Sequence, residues 1–281
     1  MKSYLNNLGL KNQSSKEQLL EFISPEGVLY LVMNRPEVHN AFDSEQIKNL
    51  TEALVNAKSN PKVRLIVLAG EGKSFCAGGD INYMKTVGQN SFEENKADAL
   101  ALAQLMNTLY YHPKPTIAQV KGAVFGGGVG LVCCCDIAVG SSDIKLALSE
   151  VKIGVIASTI SPYVINAVGT KTAKRFMLTG ETLTSEKALK HGFISEIADT
   201  NQLDDAIEIL TQSLLKNGPE ALQKTKALVF KVAQKEIDQK LVDFTADSIA
   251  QVRSSPEAKE GLSAFLEKRK PLWNNPSQKN K

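Results

Sequence analysis

The sequence predicts an α/β core followed by an all-helical C-terminal region. Over roughly the first two hundred residues, short apolar strands alternate with amphipathic helices, which is typical of an α/β fold. After about residue 203, helical segments follow one another with little strand signal. The 281 residues suffice for one large domain, or for one domain with an appendage. We therefore expect a core over residues 1–203 and a helical C-terminal region over residues 204–281.

The strands are expected where short apolar runs end in polar loops. Three such runs are GVLYLVMN (27–34), VRLIVLAG (63–70) and PTIAQVKGAV (115–124). The second is apolar throughout, which indicates a sheet covered on both faces. The segment DIAVGSSDIKLALSE (136–150) predicts two further short strands around a Ser-Ser-Asp turn.

The helices are expected where apolar residues recur at helical spacing. The first, SEQIKNLTEALVNAKSN (44–60), begins with a serine that we expect to be its N-cap. The remaining predicted helices of the core cover 92–111, 127–135, SPYVINAVG and TKTAKRFMLTG, and those of the C-terminal region cover 203–216, 218–235, 239–253 and 255–268.

Composition and charge exclude several classes of protein. Hydrophobic residues make up 43% and charged residues 22% of the chain, as in an ordinary soluble globular protein. The net charge of +3 is too small to indicate a nucleic-acid partner. The polar N-terminus lacks the apolar stretch of a signal peptide, and no apolar run has the length of a membrane span. We therefore expect a cytoplasmic protein with no nucleic-acid and no membrane partner.

The cysteines and histidines do not predict a metal site. The four cysteines are Cys76, Cys133, Cys134 and Cys135, and the three histidines are His39, His112 and His191. Three consecutive residues on a helix point about 100° apart, so their thiols cannot converge on one ion. We expect the cysteines to be small buried side chains and the histidines to have surface or packing roles.

Two glycine-rich loops are candidates for anion binding. SFCAGGDINYM (74–84) and FGGGVGLVCCCD (125–136) each follow an apolar strand and open a probable helix. The first N–H groups of a helix have no intrahelical acceptor, and glycine leaves them unobstructed. The second loop lacks the third glycine of a dinucleotide fingerprint, because Leu131 stands there, and no Lys-Ser/Thr follows as in a P-loop. Together the loops could present two amides to one thioester or ester oxygen; separately, each could be only a tight connection.

Four motifs carry a resemblance to a known family. They are NRPEVHNAFD (34–43), SFCAGGDI (74–81), the segment from KPTIAQVKGAV to SEVKIGV (114–155) and EGLSAFLEKRKPLW (260–273). In this order and spacing, over about residues 18–273, the sequence resembles the enoyl-CoA hydratase/isomerase (crotonase) superfamily. The resemblance implies a crotonase (ClpP-like) spiral of ββα units, with a C-terminal helical region that forms homotrimers, often paired as hexamers. It also implies an acyl-CoA thioester as substrate and no separate cofactor, since coenzyme A is part of the substrate.

The resemblance assigns roles to individual residues. The two oxyanion-hole amides fall on Gly79 and Gly127, and the catalytic acid/base falls on Glu150. The family's contacts to the acyl-CoA fall on Arg35, Val38, Ala41, Ala77, Asp80 and Ile81. In relatives, late basic and aromatic residues reach the coenzyme A of a neighbouring subunit, which here would be Lys268, Lys270 or Trp273; the alternative is a solvated tail.

Gly130 marks this chain as a one-carboxylate member. Relatives with two catalytic carboxylates carry a glutamate at this position and a second one at the position of Glu150. The segments LSEVKIG and TISPYV are most similar to the methylglutaconyl-CoA hydratase branch, which predicts a branched enoyl-CoA substrate. We expect open space beside Gly130 that could admit a bulkier or charged acyl group. Ala157 and the stretch 158–161 depart from the usual Pro and Gly-Gly-Thr-Gln, which predicts an unusual acyl pocket near Glu150.

The predicted reaction is hydration of an enoyl-CoA, with Glu150 taking a proton from water and returning one to C2. A structural alternative for Glu150 is an ion pair with Lys152. Three other functions stay open: a Δ3,Δ2-enoyl-CoA isomerase, an enzyme that dehydrates or decarboxylates an acyl-carrier-protein thioester, and a non-catalytic acyl-CoA-binding paralogue.

Overall fold

Eight strands form two sheets in this computed structural model, which describes residues 1–274. The strands are β1 (Leu19–Ile23), β2 (Val28–Met33), β3 (Leu65–Gly70), β4 (Thr116–Val120), β5 (Ala123–Phe125), β6 (Ile137–Ser141), β7 (Lys145–Ala147) and β8 (Glu196–Ala198). The large sheet has the order β1-β2-β3-β4-β6-β8, and β5 pairs with β7 in the small sheet. Only β1 is antiparallel to its neighbour in these ladders.

The centre of the large sheet is buried on both faces. Every residue of β2, β3 and β4 is buried, as expected for parallel strands covered by helices on either side. Because the strands are parallel, the loops after β2, β3 and β4 all leave from the same edge of the sheet. That edge collects the segments 34–43, 71–80 and 121–127.

The predicted strand 115–124 is in fact two strands in different sheets. It breaks at Gly122, whose φ is +58°, so that β4 stays in the large sheet and β5 turns away into the small one. A Cβ on Gly122 would lie 2.0 Å from the carbonyl oxygen of Lys73, so only glycine fits this corner. The two strands predicted within 136–150 part in the same way, β6 into the large sheet and β7 into the small one.

Twelve α-helices surround the sheets within the described residues. They are α1 (Lys2–Asn7), α2 (Ser44–Ser59), α3 (Ile81–Val87), α4 (Phe92–Tyr110), α5 (Gly127–Cys134), α6 (Ser161–Val168), α7 (Thr170–Thr179), α8 (Ser185–Lys190), α9 (Leu203–Leu215), α10 (Pro219–Val232), α11 (Gln239–Arg253) and α12 (Pro256–Leu266). The expected serine cap of α2 is wrong: Asp43 is the N-cap, and its carboxylate accepts the Gln46 N–H at 2.8 Å. The elements α1, β1, α8 and β8 were not predicted.

The core consists of two apolar clusters on opposite faces of the large sheet. The larger cluster contains side chains of α2, α4, α5 and α7, and the smaller one contains side chains of α1 and α9. All four cysteines are free, and Cys76, Cys133 and Cys134 are buried, as predicted. Burial raises the pKa of the Cys76 and Cys133 thiols to about 12, so they behave as apolar side chains.

The number of buried residues per helix falls after Gly218. Helix α9 packs on the sheet through Leu203, Ile207 and Leu215, and so belongs to the core by contact. Helices α10 and α11 bury no residue, and α12 buries only Ala264. Residues 275–281 of the predicted C-terminal region lie outside the described residues. Within residues 1–274, no helix combines the length and the hydropathy that crossing a bilayer requires.

Candidate active site

The two glycine loops are brought side by side by hydrogen bonds to their neighbours. The Cys76 N–H donates to Ala123 O (3.2 Å), and the Phe125 N–H donates to Cys76 O (2.9 Å), so the first loop runs along β5. On its other side, the Phe42 N–H donates to Gly78 O at 2.6 Å. The first glycine loop is therefore held between Phe42 and the segment that leads into α5.

Close approach explains why the loops need glycine. A Cβ on Gly128 would lie 2.4 Å from Cys76 O, and a Cβ on Gly127 would lie 2.7 Å from the Phe42 ring. A Cβ on Gly126, whose φ is +50°, would lie 4.0 Å from the Cα of Gly78. The backbones thus touch where side chains would otherwise separate them. Phe42, which sequence reasoning missed, forms one wall of this contact.

Two backbone donors in these loops lack an acceptor. Among residues 1–274, neither the Gly79 N–H nor the Gly127 N–H donates a hydrogen bond. Gly127 is the first residue of α5, where the helix dipole places partial positive charge. Gly79 is exposed and lies directly before the Asp80 cap of α3. These are the two amides that the sequence indicated, and both are free to bind an oxygen.

Glu150 reaches the glycine loops because β7 pairs with β5. The Gly126 N–H donates to Ala147 O (3.0 Å), and a short 3₁₀ helix, Glu150–Ile153, follows the strand. The Glu150 Oε1 atom would lie 3.1 Å from a Cβ on Gly126, so the carboxylate rests against the backbone of that residue. The acid thus lies immediately before the helix that begins with the free Gly127 amide.

The environment of Glu150 favours its protonated form. Its Oε2 atom is buried and has no hydrogen-bond partner among the described residues. Burial raises the pKa of the carboxyl, and the opposing effect of its own backbone N–H is smaller. The alternative ion pair with Lys152 is not formed within residues 1–274, and the Lys152 side chain instead lies against Gly180. A carboxyl with a raised pKa is suited to accept and return a proton near neutral pH.

The open space predicted beside Gly130 does not exist. A Cβ on Gly130 would lie 2.3 Å from Ile160 Cγ2 and 3.2 Å from Met106 Cε. Gly130 is itself buried, and Ile160 is only 2% exposed. The expectation that this position admits a larger acyl group is therefore wrong, because a side chain of the stretch 158–161 fills the place.

Half-buried Arg35 and buried Asp80 form a pair that shapes the first glycine loop. Arg35 donates to Asp80 Oδ2 (3.0 Å) and to Ala41 O (2.6 Å), and it also pairs with Asp43 (3.1 Å). Burial opposes ionisation of Asp80, but hydrogen bonds from the Asn82 and Tyr83 N–H groups and from Arg35 outweigh it and lower the pKa. The guanidinium charge is thus compensated within the chain, so the pair orders the loop that carries Gly79.

The other residues expected to contact the acyl-CoA surround the same loops. Val38 and Ala77 are half-buried, Ile81 is 70% exposed, and Ala41 is buried. Met84, which was not predicted, lies over Gly79, with its Cγ 3.3 Å from a Cβ placed there. The structure therefore brings the predicted residues of segments 35–41 and 77–81 together at the edge that carries Glu150.

The late basic and aromatic residues lie elsewhere. Lys270 and Trp273 line a groove with Arg64, at the edge of the sheet where β3 begins, and Lys268 is exposed. Trp273 donates its indole N–H to Lys216 O at 3.0 Å. Strand β3 alone separates the two edges by about 17 Å. These residues are not part of the site formed by Glu150 in their own chain.

The histidines have the surface or packing roles that the sequence suggested, and His39 is exposed. His112 is 2% exposed, and burial lowers its pKa to about 4. His39 contacts Ser74 Oγ through Nδ1 at 3.0 Å, and His191 packs edge-on against Phe176.

The chain belongs to the enoyl-CoA hydratase/isomerase family, whose sequence model matches residues 24–276. An enoyl-CoA hydratase structure from Shewanella pealeana superimposes with a TM-score of 0.88 at 42% identity, covering 91% of this chain and 96% of that one. A Thermus thermophilus relative is 35% identical over 88% of this chain and 97% of its own length. The crotonyl-CoA hydratase of Syntrophomonas wolfei is 28% identical over 87% and 94%. The protein is therefore an enzyme of the enoyl-CoA hydratase type with the crotonase fold.

Proposed function

We propose that this enzyme adds water across the C2–C3 double bond of an enoyl-CoA, with Glu150 as its only acid/base. The observation that supports the proposal is the Glu150 carboxylate resting on Gly126, the residue directly before the free Gly127 amide, with the loop of the free Gly79 amide packed against the same residue. A thioester oxygen bound by those amides would place C2 and C3 near the carboxylate.

The proposed reaction needs one carboxylate, acting twice. Glu150 takes a proton from water as the oxygen attacks C3, and the alkene electrons move onto the thioester oxygen to give an enolate. The Gly79 and Gly127 N–H groups stabilise that oxyanion, and one such donor is worth about 3 kcal/mol. Protonated Glu150 then returns the proton to C2. The raised pKa of the carboxyl fits both steps, since it must gain and lose a proton.

The test compares turnover on several enoyl thioesters. Crotonyl-, 3-methylcrotonyl- and 3-methylglutaconyl-CoA would be followed by loss of the enoyl absorbance, with the wild type and with Glu150→Gln. We expect kcat to fall about 10²–10⁴-fold in the variant, while binding of a saturated acyl-CoA is unchanged. Glu26→Gln, an exposed glutamate at the opposite edge of the sheet, is the matched control. Undiminished turnover in Glu150→Gln would remove Glu150 from the mechanism.

The same panel of thioesters tests which acyl group the enzyme prefers. A branched substrate such as 3-methylglutaconyl-CoA is the candidate suggested by the segments around residues 150 and 160. Because Ile160 fills the place beside Gly130, a preference for that substrate must come from other side chains near the site, such as Met84 and Ile81. Turnover of 3-methylglutaconyl-CoA no better than of crotonyl-CoA would refute the branched preference.

A lone carboxylate also suits isomerisation, in which Glu150 would move a proton between C2 and C4. Reaction in ¹⁸O-labelled water separates the two, because only hydration incorporates the label into the product. Acyl-CoA binding without turnover of any member of the panel would favour the non-catalytic alternative.

We also propose that the enzyme assembles as a trimer or a hexamer through its C-terminal helices. The support is the apolar surface that these helices leave uncovered, which includes Val242, Ile249 and Phe265. Light scattering coupled to size exclusion should give a mass three or six times that of the chain.

A further inference from the structure

Gly126, the N-cap of α5, and Gly130, within α5, are covered by two different side chains. The Gly130 N–H donates to Gly126 O at 3.3 Å, so these residues lie one helical turn apart. The Glu150 carboxylate covers Gly126, and the Ile160 side chain covers Gly130. The two side chains therefore cover positions four residues apart at the N-terminal end of α5.

Ile160 is held firmly in this place. Its carbonyl accepts the N–H groups of Tyr163 and Val164, both at 3.1 Å, at the start of α6. Its branched Cβ restricts the side chain to few rotamers. Two of its atoms, Cγ2 and Cβ, would lie within 3 Å of a Cβ on Gly130. No side chain, and in particular no second carboxylate, fits at position 130 while Ile160 is present.

The charged groups on the elements packed around the Glu150 segment are exposed or paired with other residues. The 3₁₀ segment of Glu150 packs on α7, whose Lys171, Lys174 and Arg175 are exposed, and Arg175 is paired with Glu181 at 2.8 Å. The Asp80 carboxylate of the glycine loop is paired with Arg35. Helices α5 and α6 carry no Asp, Glu, Lys, Arg or His.

We propose that Ile160 is a positioning residue that makes this a one-acid site. It occupies the place that a second carboxylate would need, and it keeps the Glu150 carboxylate against an apolar wall. The proposal rests on the proposed role of Glu150, but it makes a statement about the carboxylate that can be tested without any substrate.

The first test measures the ionisation of Glu150 in the free enzyme. Infrared difference titration, with Glu150→Gln as the blank, isolates the carboxyl signal of this residue. Ile160→Ala admits water beside the carboxylate and should lower its titration midpoint by about half a pH unit or more. Ile160→Val keeps Cβ and both γ-carbons, and Val164→Ala creates a cavity on the same helix; both should leave the midpoint unchanged. A shift common to all three variants, or absent from Ile160→Ala, would overturn the proposal.

The second test installs the missing acid. Gly130→Glu alone should unfold or lose most activity, because the new side chain collides with Ile160. In the Ile160→Gly background, Gly130→Glu should fold and add a second ionisation to the pH profile of kcat, whereas Gly130→Gln should not. Equal tolerance of Gly130→Glu in both backgrounds would contradict the proposed role of Ile160. If the double variants do not fold, the infrared titration alone decides.

The two proposals can fail separately. If Glu150→Gln retains full turnover, the proposed function fails, yet the infrared midpoint still reports whether Ile160 controls the carboxyl. If hydration depends on Glu150 but the titration midpoint of its carboxyl is the same in Ile160→Ala as in the wild type, only the proposed role of Ile160 fails.

Discussion

Helices of the core and of the C-terminal region have similar amphipathic sequences but very different burial. Helix α2 buries seven residues against the sheet, whereas α10 and α11, of almost the same length, bury none. All three carry an apolar stripe along one side. An apolar stripe therefore predicts a helix with one side to be covered, but it does not predict which element covers that side. In this chain the sheet covers the apolar side of α2, whereas apolar side chains of α10–α12 remain exposed within the described residues.

The largest effect should come from a pair of matched phenylalanines. Phe176 in α7 is 1% exposed, and Phe265 in α12 is 82% exposed. We expect Phe176→Ala to lower the free energy of unfolding by about 3–5 kcal/mol and Phe265→Ala by less than about 0.5 kcal/mol. Urea unfolding at several protein concentrations measures both. Equal losses would break the comparison, and a loss at Phe265 that depends on concentration would show that another copy covers it.

The next effect concerns the ion pair that ties α10 to the core. Lys226 Nζ lies 2.7 Å from Asp136 Oδ2, and the lysine side chain is 10% exposed. Lys226→Met leaves a partly buried carboxylate without its cation, which should cost about 1–3 kcal/mol. Lys224→Met on the same helix is the control, because that lysine is 47% exposed and should cost less than about 0.5 kcal/mol. Limited proteolysis should cut α10–α12 faster in Lys226→Met only; equal cleavage would mean that other contacts hold the region.

The N-caps of α2 and α11 allow the same comparison between the core and the C-terminal region. Asp43 caps α2 in the core, and Asp238 caps α11, each accepting a backbone N–H at 2.8 Å. Asp43→Ala should lower the free energy of global unfolding by about 1 kcal/mol. Asp238→Ala should instead raise the rate of amide hydrogen exchange in the first turns of α11 and leave global unfolding nearly unchanged. Global destabilisation by both variants would show that α11 unfolds together with the core.

The smallest expected effect is the change in Tm when Glu150 is replaced by a neutral side chain. Because burial raises the pKa of Glu150, its folded form favours the proton, and stability is lost as pH rises through that pKa. Glu150→Gln should therefore raise Tm by about 1–2 °C at about pH 8, and the difference should vanish in acid. Scanning calorimetry of the two proteins across this range checks the sign. A variant less stable than the wild type at about pH 8 would show that the ionised carboxylate has a partner.

The candidate site was largely predictable because its parts are local in sequence. A strand, a run of glycines and a helix indicate a loop with free amides, and this pattern identified the two glycine loops, whereas the family resemblance assigned the amides to Gly79 and Gly127. Glu150 was predicted from a motif, since its residue type alone allowed an ion pair with Lys152. The filled space beside Gly130 was not predictable, because Ile160 lies thirty residues further along the chain. The pairing of Arg35 with Asp80 likewise joins segments forty-five residues apart.

The sequence by itself determined the α/β order, the apolar strands, the two glycine loops and the helical C-terminal region, because each depends on the periodicity and backbone preferences of neighbouring residues. Three features required the folded structure: the sheet that each half of 115–124 joins, the sheet edge that carries Trp273, and the side chain that fills the place beside Gly130. Those features depend on contacts between segments that are distant in sequence. Examples are the Ile160 Cγ2 atom, 2.3 Å from a Cβ on Gly130, and the Glu150 Oε1 atom, 3.1 Å from a Cβ on Gly126.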